Sequence, residues 1–102
     1  MNAPRKFRTL DEVRGEYYKK HPKELKTYLA VALEEYQEDG DEKAFLTALS
    51  FVTKMYGGFS KLSKATGLNR ENLYRALSQR SDPRLSTVMQ VLGTLGFSLT
   101  IR

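Results

Sequence analysis

From residue 22 onward, apolar side chains recur at intervals of three and four. Leu25, Tyr28, Leu29, Ala32, Leu33 and Tyr36 share one face of a helix that opens near Pro22 and ends at Asp39-Gly40. Ala44, Phe45, Ala48, Leu49, Val52 and Met55 form a second stripe, with Asp41 placed to cap it and Gly57-Gly58 to stop it. The pattern predicts helices over about 22–38 and 41–56, and so short a link makes them an antiparallel hairpin. Two compact helices, about 60–66 and 69–77, follow on either side of Gly67-Leu68. Ser81-Asp82-Pro83 starts another, about 83–95, with Leu85, Val88, Met89, Val91, Leu92 and Leu95 at helical spacing and Gly96 at its end. Phe97, Leu99 and Ile101 then alternate with Ser98 and Thr100, the period of a strand over about 97–101.

Upstream, residues 1–8 have no apolar period and read as a basic arm. Thr9-Leu10-Asp11-Glu12 has the spacing of a capping box, so a short helix can start there, weakened by Gly15. The expected organisation is a basic N-terminal segment over 1–21 and one domain over 22–102. Its class is all-α, with five or six helices and a short C-terminal β-strand. A lone strand has unpaired backbone groups. Phe97, Leu99 and Ile101 therefore either pair with the same strand of a second copy, making a homodimer, or pack as a tail on their own core.

The turn at Gly67 carries the most specific signal. Two helices that cross closely need a small residue in the first, which Ser63 or Ala65 supplies, and positive φ at the turn, which Gly67 supplies. Leu68 plugs the crossing, and Leu62, Leu73 and Ala76 face inward. That is the outline of a helix-turn-helix, whose second helix fits the DNA major groove. Its outward positions are Asn69, Arg70, Glu71, Asn72, Tyr74, Arg75 and Gln79. Arg pairs bidentately with guanine and Asn or Gln with adenine, while Glu71 can accept from cytosine or pair with Arg75. Asn69, Arg70, Glu71, Asn72, Arg75 and Gln79 are thus the expected base readers. Ser60, Lys61, Lys64, Arg80 and Arg84 are the expected phosphate contacts. A generic helical hairpin with a glycine turn would share part of this pattern.

Charge agrees with the motif. The 102 residues carry a net charge of +5, unevenly spread. Residues 1–22 hold six Lys/Arg against three Asp/Glu, residues 23–56 four against seven, and residues 57–102 seven against two. The basic excess therefore falls on the half that holds the motif, and a positive face attracts polyanions by releasing phosphate counterions.

Other chemistry has little support. The chain has no cysteine and one histidine, His21 beside Pro22, which leaves no thiol chemistry and no zinc site. No catalytic residue, metal site or cofactor is expected. Glu34, Glu35, Glu38, Asp39, Asp41 and Glu42 gather at the hairpin tip without calcium-loop spacing, and read as a solvated end or a dock for a basic partner. Tyr17 and Tyr18 precede the first confident helix and are the candidate contacts to a protein partner. No apolar run is long enough for a membrane span, and no apolar stretch follows the basic MNAPRKFR start, so neither a span nor a signal peptide is expected. A cytoplasmic location fits.

The run from Phe45 to Leu99 resembles the probable addiction-module antidote family. It carries Lys61 to Thr66, then Gly-Leu-x-Arg-Glu-x-Leu-Tyr-x-Ala-Leu from Gly67 to Leu77, then Pro83-Arg84-Leu85 and Leu95-Gly96. The segment near Ala32 and Asp39-Gly40-Asp41 looks like the opening hairpin of that family, so the likeness spans about 22–101. The resemblance implies a lambda-repressor-like fold akin to HigA-type antitoxins. It also implies a homodimer on the double-stranded DNA operator of its own operon, and a RelE/ParE-like toxin as partner. Two other readings stay open: a phage-type or stand-alone regulator without a toxin, and a protein-interaction module that binds no DNA.

Overall fold

The structure is a computed structural model that describes residues 9–78 and 82–99, with Asp11 described for its backbone alone. Among these residues the elements are α1 (Leu10–Lys20), α2 (Pro22–Asp39), α3 (Glu42–Tyr56), α4 (Gly58–Thr66), α5 (Arg70–Ala76) and α6 (Leu85–Thr94). No described helix is long and apolar enough to cross a membrane.

Helix α1 begins at a reciprocal cap. The Glu12 N–H donates to the Thr9 hydroxyl at 3.0 Å, and the Thr9 N–H donates to the Glu12 carboxylate at 2.8 Å. Each satisfies a donor that the first helical turn would leave unpaired. Aromatic contacts dock the helix: the Tyr18 ring lies 5.9 Å from Phe51 and 5.7 Å from Tyr28, measured between centroids. Gly15 faces α3, where an added Cβ would lie 3.5 Å from the Met55 sulfur, an ordinary packing distance.

Gly40, at φ +69, ends α2 by donating its N–H to the Tyr36 carbonyl at 2.7 Å. Asp41 then caps α3 by accepting from the Ala44 N–H at 3.1 Å. Helix α3 is buried over a wider arc than one stripe predicts. Leu46, Phe51 and Thr53 are buried beside Phe45, Ala48, Leu49 and Val52, whereas Ala44 is exposed. The reason is that α1, α2 and α4 all pack on it, with α1 closing over Phe51 and reaching Met55. The buried Thr53 hydroxyl donates to the Leu49 carbonyl at 2.9 Å, so burial strands no polar group there. Leu62, Leu73, Leu77, Val91 and Leu92 from α4 to α6 complete the same core.

The expected strand over 97–101 is not formed among the described residues; Phe97 to Leu99 are irregular. Helix α6 ends in a Schellman turn. Gly96, at φ +94, donates to the Gly93 carbonyl at 3.1 Å, and the Phe97 N–H donates to the Leu92 carbonyl at 2.9 Å. The N–H that a ladder would need is thus taken by the helix end. Phe97 turns back onto the core, with the Lys26 ammonium 5.9 Å from its ring centroid. Leu99 is exposed, and Ile101 lies outside the described residues.

Leu49 is fully buried and Leu85 is 75% exposed. Urea denaturation should therefore show a loss of about 2–5 kcal/mol for Leu49→Ala, against a change within about 0.5 kcal/mol for Leu85→Ala.

Candidate nucleic-acid interface

The crossing of α4 and α5 is built around the three residues Gly67, Leu68 and Asn69. Gly67 sits at φ +77 and donates its N–H to the Ser63 carbonyl at 2.8 Å. The Ser63 hydroxyl donates to the Leu68 carbonyl. The Leu68 N–H donates to the Thr66 hydroxyl oxygen at 3.2 Å, and that hydroxyl donates in turn to the Leu62 carbonyl at 2.8 Å. From α6, the Gln90 amide donates to the Thr66 carbonyl at 3.2 Å. The turn is thereby fastened from both sides. Ser63 is the small residue at the crossing, and it acts through its hydroxyl. Ala65, the other candidate for that place, faces solvent.

Leu62 and Leu73 are buried and Leu68 packs on the core, while Ala76 is half-buried. The inward position next to Ala76 is Leu77, 1% exposed, which the inward spacing from Leu68 leaves out. The Ser50 hydroxyl donates to the Leu77 carbonyl at 2.9 Å and pins the end of α5 to α3.

With Leu73 and Leu77 inward, the opposite face of α5 projects from the molecule. Asn69, Arg70, Glu71, Asn72 and Arg75 are all exposed. At about 100° per residue, Glu71 and Arg75 stand at the centre of this face and Asn72 lies toward one rim, whereas Arg70, seven residues before Leu77, falls near the direction of the buried side and is exposed as the first residue of the helix. Asn69 caps the helix, its side-chain oxygen accepting from the Asn72 N–H at 3.1 Å. Tyr74, 63% exposed, stands in the same row with its ring 5.3 Å from Phe59 between centroids. Arg70, Glu71, Tyr74, Arg75 and Ser78 line a concavity of about 550 Å³. A second of about 490 Å³ separates α5 from the start of α6 and is bordered by Asn72, Arg75, Asp82 and Arg84. Gln79 lies outside the described residues.

Of the expected phosphate contacts, Ser60, Lys61 and Lys64 are exposed on α4, and Arg84 is exposed just before α6. The Lys61 ammonium lies 4.6 Å from the Tyr56 ring centroid, a cation–π contact that orients it. Helix α4 opens at Gly58, earlier than expected, which makes Ser60 its third residue. Arg80 lies outside the described residues.

The paired tyrosines of α1 divide. Tyr18 is half-buried in the aromatic seam with Tyr28 and Phe51. Tyr17 is exposed, stacks 4.2 Å from His21 and donates its hydroxyl to Glu24 at 2.8 Å. That bond to a carboxylate raises the Tyr17 pKa above the ordinary phenol value. The acidic residues of the α2–α3 tip are all exposed, and among the described residues no His/Cys/Asp/Glu group could hold a metal ion.

The family model described as "Probable addiction module antidote protein" matches residues 13–102. The match reaches into α1 and takes in Tyr17 and Tyr18, ahead of the likeness legible in the sequence. An uncharacterized protein of Haemophilus influenzae is 33% identical over 79 residues, which cover 78% of this chain and 76% of that protein. No solved structure matches the chain.

A Cβ at Gly67 would meet nothing within 4 Å, so its only penalty is the backbone angle. In urea denaturation Gly67→Ala should cost about 1–2 kcal/mol, and Gly67→Asn less, because Asn enters the left-handed region more readily.

Proposed function

The chain belongs to the family of probable addiction module antidote proteins, and from that premise we propose that it is the antitoxin of a type II toxin–antitoxin pair. In this reading it is a lambda-repressor-like, HigA-like helix-turn-helix protein that represses its own operon and neutralises a RelE/ParE-like toxin in the cytoplasm. It has no catalytic role of its own.

The observation that carries the DNA-binding part is the projecting face of α5. Arg70, Asn72, Arg75 and the exposed Asn69 can meet base edges, with Glu71 as a further acceptor. Lys61, Lys64 and Arg84 on the flanking elements suit phosphates, which fix position without reading sequence. A single short helix reads few base pairs. A homodimer presents two such helices to half-sites about 34 Å apart, and we include it in the proposal. Because Phe97 to Leu99 are irregular, a paired strand there is not part of the proposal. For the toxin, Tyr17 is the better placed of the two tyrosines, because the Tyr18 ring is taken up in docking α1.

The deciding experiment measures binding to the chain's own promoter fragment and to a random duplex across a salt series. A repressor loses affinity steeply with salt yet keeps its preference for the promoter. A protein-interaction module shows no retained preference. Copurification with the product of an adjacent gene separates the antitoxin from a stand-alone regulator. Arg75→Ala and Arg70→Ala should each cost about 1–3 kcal/mol on the operator and relax its sequence preference, whereas Lys64→Ala should weaken all duplexes alike. Equal losses on operator and random DNA would remove either arginine from the reading role.

A further inference from the structure

Resting on the repressor reading, we propose that Arg14 of α1 and Lys54 of α3 form a second phosphate-binding row beside α5, which makes α1 part of the DNA-binding surface. Arg84 borders α5 on the flank that carries Asn69, Asn72 and Ala76. Arg14 and Lys54 border the other flank, where with Tyr74, Leu77 and Ser78 they line a concavity of about 220 Å³. The projecting face of α5 lies between the two flanks. Both side chains are exposed, and no carboxylate lines that concavity.

A helix seated in the major groove has phosphates on both walls, about 12 Å apart. Cations on one flank alone would hold one strand. The α6 side supplies Arg84 for one wall, and the α1–α3 side supplies Arg14 and Lys54 for the other. Arg14 holds this place because α1 is locked by its reciprocal cap and by the Tyr18 ring against Phe51. Lys54 holds it because it leaves the last turn of α3, next to the point where Ser50 pins the end of α5.

The test uses the full chain with Arg14→Gln, Lys54→Gln and the double variant, each titrated against the operator and a random duplex over a range of salt. Affinity for both duplexes should fall in parallel with the operator preference kept. The slope of log affinity against log salt should become shallower by about 0.9 for each residue. Arg14→Lys should restore most of its share. Lys43→Gln, which removes the same charge from the opposite end of α3, should leave the slope unchanged, and equal melting temperatures exclude a folding defect. A double variant with the parental slope, or a Lys43→Gln effect of the same size, overturns the proposal. A parental chain that prefers no duplex overturns the repressor reading instead, so the two failures are distinguishable.

Discussion

Burial of α3 is the constraint on which the rest of the structure depends. Phe45, Leu46, Leu49, Phe51 and Val52 point in several directions around that helix, and all are buried. A helix apolar over so wide an arc cannot be satisfied by one neighbour. It needs α2 and α4 against one part of its surface and α1 against another, and the aromatic seam of Tyr18, Tyr28 and Phe51 is where α1 closes it. In return α3 sets the position of α4 through the Gly57-Gly58 break, and of α5 through the bond from Ser50 to Leu77.

The projecting face of α5 is a consequence of that arrangement. Three hydroxyl–backbone bonds at the Ser63–Thr66–Leu68 turn, one amide from α6 and one hydroxyl from α3 hold a helix of only seven residues. An isolated helix so short would not persist in water. Here Leu73 and Leu77 bury one side and tertiary bonds fix both ends. The polar side is presented in a set orientation, which is what recognition of a rigid groove requires.

Charge is unevenly spread. Six acidic residues collect at the α2–α3 tip, while Lys61, Lys64, Arg70, Arg75, Arg84, Arg14 and Lys54 lie on and around α4 and α5, together with Glu71 and Asp82. Membership of the antidote family implies a toxin as partner.

Periodicity and punctuation along the chain were enough to read α2, α3 and the turn at Gly67. Those depend on local chemistry: apolar spacing, Pro22 at a helix start, and glycines that alone take positive φ without cost. The capping box at Thr9 and Glu12 was equally legible, and so was the family. Other features came from distant parts of the chain meeting. The burial of Phe51 by Tyr18, the outward place of Ala65 and the gathering of Arg14 and Lys54 beside α5 depend on contacts between elements, on which spacing within one element is silent. The alternation at Phe97, Leu99 and Ile101 had the period of a strand. Yet a strand needs a neighbouring ladder, and the α6 terminus captured the Phe97 N–H while the core captured its ring. Local pattern determined which faces were apolar; only the tertiary structure decided what covered them, because burial is a property of the neighbours a residue meets.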